Sequence, residues 1–232
     1  WATSSIEFQA GATINVSGNS SYALFADAGK ITSKLDMNGD VVSGGKFLIN
    51  GDMTTINGGI IDLVLGNGSI FVGSADEATG NIKLKMEAGS KWYVTADKYV
   101  DLTMEAGSAL YLGTPQDQIN FTLLNVENTG KMTVNGGTTW FQADVGSISG
   151  DQLIVAHTIE GTSGKIAVEN LGFSSTDGTE KLILIKAKNG GAGFTLTNAV
   201  EQGGYIYLLD NEFDGGTGTN WFLYGTERST SS

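Results

Sequence analysis

The phrase Met86-Glu87-Ala88-Gly89-Ser90 returns almost at once, unchanged, as Met104-Glu105-Ala106-Gly107-Ser108. Each copy closes a run in which apolar and polar residues alternate: Ile82-Lys83-Leu84-Lys85-Met86 in one case, Val100-Asp101-Leu102-Thr103-Met104 in the other. Alternation with period two marks a half-buried strand. A strand followed twice by the same turn predicts a chain that stacks copies of one unit. Short strand phrases recur after Gly11, Gly45, Gly68, Gly89, Gly107 and Gly130, widest apart at the first interval and closest between Gly89 and Gly107. Among them are Ala12-Thr13-Ile14-Asn15-Val16, Lys46-Phe47-Leu48-Ile49, Ser69-Ile70-Phe71-Val72 and Ser90-Lys91-Trp92-Tyr93-Val94. Unequal intervals fit solenoid coils whose loops vary outside a common core. The expected fold is therefore all-β, a parallel β-solenoid. About twenty residues per coil would give on the order of ten coils and a rod roughly 50 Å long. An antiparallel sandwich is the competing arrangement, because short strands and Gly turns do not reveal the direction of the connections.

Composition agrees with an ordered, turn-rich β protein. The 34 glycines are about 15% of the chain, roughly twice the usual share, yet 40% of the residues are hydrophobic and there is one proline. Cysteine is absent, which removes disulfides, thiolate metal sites and cysteine nucleophiles. A net charge of −12 argues against a protein that works by neutralising nucleic-acid phosphates. No apolar run is long enough for a membrane helix, and Trp1-Ala2-Thr3-Ser4 does not read as the start of a signal peptide, as in a processed chain.

The character of the chain changes near Thr138, where the strand phrases carry larger aromatics. Three segments are expected: a solenoid over 1–137, a terminal solenoid portion with a cap over 138–225, and a short polar tail over 226–232. The last coil of a solenoid exposes hydrogen-bonding edges and apolar surface, so a bulky terminal structure should cover it. Trp140, Phe194, Tyr205, Tyr207, Trp221 and Phe222 are the candidates for that cover.

Over residues 138–225 the sequence resembles the carboxyl-terminal region of bacterial autotransporter passenger domains of the AIDA-like and pertactin-like kinds. The resemblance rests on Asp144, Gly150-Asp151-Gln152-Leu153-Ile154-Val155, Gly161, Gly164-Lys165-Ile166-Ala167-Val168, Phe194-Thr195-Leu196, Tyr205-Ile206-Tyr207-Leu208 and Asn220-Trp221-Phe222-Leu223. It implies a right-handed, single-stranded parallel β-helix ending in an autochaperone-like cap that supports passenger folding during secretion. Asp144, Gly150, Asp151, Gly161, Gly164 and Asn220 are its pattern positions at turns. It further implies a precursor joined to an outer-membrane translocator barrel, which this sequence does not contain. The location would be the bacterial cell surface, tethered or released by cleavage. The partners would be a host-surface receptor, extracellular matrix or a like passenger.

Catalytic chemistry leaves a thinner trail. The single histidine, His157, reads as a β-edge or turn residue, and Gly146-Ser147-Ile148-Ser149-Gly150 does not match a nucleophile elbow. Asp144 and Asp151, and the alternating Asp210, Glu212 and Asp214, are the carboxylates that a β-helical carbohydrate-cleaving enzyme would draw on. The segment from Asp210 to Gly218 lacks the register of known calcium loops, and Gly190-Gly191-Ala192-Gly193 lacks that of a phosphate loop. No cofactor or metal is expected. The expected function is a non-enzymatic surface or secreted passenger fragment, a scaffold for adhesion or virulence-related contacts, with the carbohydrate-cleaving enzyme as the alternative.

Overall fold

The structure, a computed structural model, describes residues 4–16, 21–42, 44–188 and 190–228. The end of the expected polar tail, 229–232, lies outside the described residues. The chain winds as a parallel β-helix of three faces and ends in an antiparallel cap, so the expected fold is the observed one. The first face stacks Ser5–Phe8, Lys30–Ser33, Ile60–Leu65, Asn81–Met86, Asp101–Glu105 and the starts of Met132–Asp144 and Ile159–Asn170. Each neighbour is parallel, which excludes the sandwich. The second face stacks Gly11–Asn15, Lys46–Asn50, Ile70–Gly73, Lys91–Val94 and Ala109–Leu112 on the later halves of the same two long strands. Met132–Asp144 runs without a break through the compositional change at residue 138.

Side-chain columns explain why these residues pair in this register. Leu63, Leu84, Leu102, Met132 and Ile159 lie one above another on the inside of the first face, none more than 2% exposed. The repeated pentapeptide is the corner between the first two faces. Gly89 and Gly107, with φ near +81° and +83°, occupy the left-handed region open to glycine, and the following serines turn inward. Ser90 and Ser108 each return both the backbone N–H and the hydroxyl to the carbonyl three residues earlier, Glu87 and Glu105 respectively. Gly89 N–H in turn reaches Gly107 O at 2.9 Å, so successive corners bond to each other.

The described coils number seven, fewer than expected. Register partners Ile6, Ile31 and Ile61, then Leu63, Leu84, Leu102, Met132 and Ile159, mark coils of unequal length. The shortest runs from Leu84 to Leu102, and the longest from Ile31 to Ile61 and from Leu102 to Met132. Insertions at the corners and the terminal cap consume the rest of the chain. Six steps between seven coils correspond to about 29 Å of rise. One insertion contains a short helix, Pro115–Asn120, that periodicity does not reveal. Its signal is local: Thr114 caps the Asp117 N–H, Asp117 returns the bond, and Pro115 sits in the first turn.

The third face is split. Tyr22–Asp27, Asp52–Ile56 and Ala75–Glu77 form one sheet, whereas Asn125–Asn128, Gln152–Val155 and Lys181–Lys188 belong to another. Between them stands Lys98, which bridges to Asn128 and is 1% exposed. Its Nζ has no hydrogen-bond partner and lies 5.6 Å from the centre of the Trp92 ring. Burial lowers its pKa from 10.5 to about 7, against the opposing pull of Asp97. Between about 7 and 10.5 the unfolded chain therefore binds more protons than the folded one, and stability rises with pH; below about 7 both states are charged and the full cost is present. Denaturant melts should show a gain approaching ~1.4 kcal/mol per pH unit between pH 7 and 9. Lys98→Met should be more stable at pH 7 by about 2 kcal/mol and lose that slope.

Candidate functional site

The terminal structure begins where the ladder changes direction. Lys181–Lys188 pairs in parallel with Gln152–Val155 on one side, but its other partner, Gly218–Glu227, is antiparallel. Gly218–Glu227 then pairs with Tyr205–Phe213, which pairs with Val200–Gln202. Gly193–Leu196 adds one short parallel rung to Ile159–Asn170.

Of the six aromatic candidates, five lie in this region. Phe194 is 7% exposed and meets Trp221 edge-on at 5.3 Å between ring centres. Its ring occupies the space a side chain at Gly164 would need: a Cβ there would stand 2.2 Å from Phe194 Cε1. Tyr205 lies in the same way against Gly178, at 2.3 Å from such a Cβ to its Cε1. Phe222 is buried under the Lys181 ammonium, 4.2 Å from the ring centre, and Lys181 is ion-paired with Glu212 at 2.6 Å. Tyr207, 1% exposed, donates its hydroxyl to Glu180 at 2.8 Å. Trp140 stands apart, on the outer surface of the second face, stacked on Tyr111 at 5.6 Å.

Glu180 is a residue that the sequence reading missed. Its carboxylate, 6% exposed, also accepts the N–H groups of Asp177 and Gly178 at 2.7 and 2.9 Å. Burial raises its pKa, but these bonds together with that from Tyr207 outweigh burial and hold it below the usual range. Tyr207 is pushed up to about 12, by burial first and then by its bond to Glu180.

The pattern positions resolve into backbone anchors and close approaches. Asp151 is fully buried and accepts Leu124 N–H at 2.6 Å and Gln142 N–H at 2.8 Å, tying two coils to one turn. Burial pushes its pKa up to about 6 against the pull of those donors. Asp144 accepts the Ser174 hydroxyl at 2.6 Å and the Ser147 hydroxyl at 3.0 Å, bonds that outweigh burial and keep its pKa low. Gly161, at φ +110°, comes so close to the coil below that a Cβ would lie 2.1 Å from Val134 O. Gly150 packs on Leu182 and Ala143, and Asn220 pairs with Lys186 and Glu212 in the terminal sheet.

These carboxylates are engaged within the fold. Asp144 and Asp151 are committed to turns, Glu212 to Lys181, and Asp214 to the hairpin N–H groups of Gly216 and Gly218. His157 Nε2 lies 3.1 Å from Thr129 O in the neighbouring turn. Among the described residues no group of three or more His, Cys, Asp or Glu could hold a metal ion.

A second feature lies outside the cap. Tyr93, Tyr111 and Trp140 occupy one outward row on consecutive coils, with ring centres 4.6 and 5.6 Å apart and planes within 12° of parallel. The signal was present in the sequence: each is the third residue after the corner position held by Ser90, Ser108 or Gly137. The close fit of Phe194 over Gly164 gives a direct test of the cap. Gly164→Ala should cost about 1–3 kcal/mol by overpacking. In a Phe194→Leu background the same change should cost less, and the coupling is read from thermal melts of the four proteins.

Comparison with known proteins places this geometry in a family. Residues 99–225 match the pertactin family, beginning well ahead of the stretch from residue 138. The probable autotransporter YcgV of Escherichia coli K12 is 31% identical over 192 residues, 78% of this chain and 19% of that protein. Autotransporter CRAC of Citrobacter rodentium is 25% identical over 164 residues, 69% of this chain and 10% of its own length. The chain thus spans a fifth or less of these relatives. Among solved structures, the Haemophilus influenzae Hap adhesin is similar over 96% of this chain and 24% of its own, with 21% identity and a TM-score of 0.47. With more than half of its 232 residues matched, the chain belongs to the pertactin family of autotransporter passenger domains.

Proposed function

We propose that this chain is a non-enzymatic, surface-displayed passenger segment whose outer faces make adhesive or virulence-related contacts, and that residues 138–225 support its folding and secretion. The observation that carries the second part is the change from parallel to antiparallel pairing at Lys181–Lys188. A parallel rung ends with an edge ready to pair with another chain. Here that edge is taken by Gly218–Glu227, with Phe194, Tyr207 and Leu223 in the core and Phe222 on the opposite side of the strand beneath Lys181. Such a terminus is suited to start a ladder that then grows coil by coil.

The autotransporter relatives support a precursor in which the passenger is joined to an outer-membrane translocator barrel, and a location on the bacterial surface, tethered or released. Host-surface receptors, extracellular matrix and like passengers are the partner classes that follow. The commitment of the buried carboxylates to turns supports display over carbohydrate cleavage.

Removal of residues 205–224 tests the folding role. The variant should lose soluble yield and aggregate, whereas excision of the exposed turn 36–40, which carries the fully exposed Met37, should leave yield and unfolding profile close to those of the full chain. Equal soluble yields and coincident melts for the two deletions would reject the assignment.

A further inference from the structure

The outer surface of the second face carries a groove of about 590 Å³ that the fold does not need. Its floor is two outward rows in register: Thr13, Leu48 and Ile70, beside Asn15, Asn50 and Val72. Its wall is Thr114, Pro115 and Gln116, from the insertion that carries the short helix. The row of Asn15, Asn50 and Val72 leads directly into Tyr93, Tyr111 and Trp140, so one strip crosses six successive coils.

Three properties narrow what could lie there. Among the described residues no charged side chain lines the groove, although the chain carries −12; Lys91, on the coil after Ile70, is the next residue of that row. An ionic ligand would find no counter-charge to offset its desolvation. The backbone of Lys46–Asn50 and Ile70–Gly73 is spent on rung-to-rung pairing, and among the described strands of the floor only Gly11–Asn15 keeps a free edge; an extended peptide could join there along the strand, but not run across the rungs as the groove does. What the floor does offer is amides and hydroxyls beside aliphatic surface. Asn50 Nδ2 donates to Asn15 Oδ1 at 3.1 Å, which leaves the Asn15 amino group and the Asn50 carbonyl oxygen for a ligand. Alternating hydroxyl edges and C–H faces are the surface of a sugar ring, and coils recur about every 4.8 Å, close to the length of one extended pyranose unit.

We propose that this groove binds an unbranched, uncharged glycan running along the solenoid axis, with Asn15, Asn50 and Gln116 bonding its hydroxyls and Leu48, Ile70 and Val72 packing on its ring faces. The proposal rests on the reading of the chain as an adhesive display surface and names the ligand class of one face; it is independent of the cap.

The test is calorimetric titration of the full chain with cellohexaose and chitohexaose, with a heparin hexasaccharide, and with an uncharged extended peptide. At least one neutral hexaose should bind saturably. Asn50→Leu and Gln116→Ala should each weaken it about tenfold with melting temperature unchanged, whereas Lys83→Ala on the first face should not. Failure of both neutral sugars, preference for heparin or for the peptide, or affinity indifferent to both groove variants would each overturn the proposal. Beads coated with the chain separate this from the underlying reading. Adhesion to host matrix that persists in both variants rejects the groove alone, whereas absence of adhesion by the unaltered chain rejects the display role itself.

Discussion

A parallel rung has to place its inward side chains directly over those of the coil before it, while its backbone groups are all committed to the coils on either side. Everything else in this chain accommodates that alignment. The column from Leu63 to Ile159 is continuous although its coils differ widely in length, the short one from Leu84 to Leu102 being followed at once by the long one from Leu102 to Met132. Extra residues are admitted at corners, where the 113–124 segment can turn outward without moving Leu112 or Val126 from the core. The Gly-Ser corners matter for the same reason. Each fixes where the next strand starts, and a slip of one residue would send a whole row to the wrong face.

This is also why the solenoid was legible from sequence and much of the candidate site was not. Alternation in 82–86 and 100–104 and the repeated corner both report on neighbours within a coil, and they sufficed for strand, turn and stacking. The number of coils did not follow, because insertion length carries no signal of its own and the cap takes strands away from the helix. Phe194, Tyr207 and Phe222 were legible as buried aromatics because large apolar residues crowd the 194–224 stretch. Trp140 looked the same in composition but faces outward, a distinction set by its register with Tyr93 and Tyr111. Glu180 could not be found from spacing at all: its donors come from its own turn and from the distant Tyr207.

The buried carboxylates have a common task. Where regular pairing stops, backbone N–H groups would be left inside without partners, and each such group is costly. Asp151 serves Leu124 and Gln142, Asp144 serves Ser174, and Glu180 serves Asp177 and Gly178. Family-pattern acidic residues in a chain of this kind can therefore be read as substitutes for missing ladder bonds. The glycines opposite aromatics, Gly164 and Gly178, do the complementary work by giving rings a flat backbone to lie on.

The split third face has a consequence for how force or heat would travel along the rod. Elsewhere adjoining coils share three ladders, but at Lys98 the third is reduced to isolated bonds, Tyr99 N–H to Ala75 O, Lys98 N–H to Glu127 O and Thr129 N–H to Lys98 O. In a one-dimensional array stability is a sum of nearest-neighbour interfaces, and the weakest interface sets where cooperativity breaks. The first two faces run unbroken past this point, so the seam on the third face is where local opening of the rod meets the least backbone resistance.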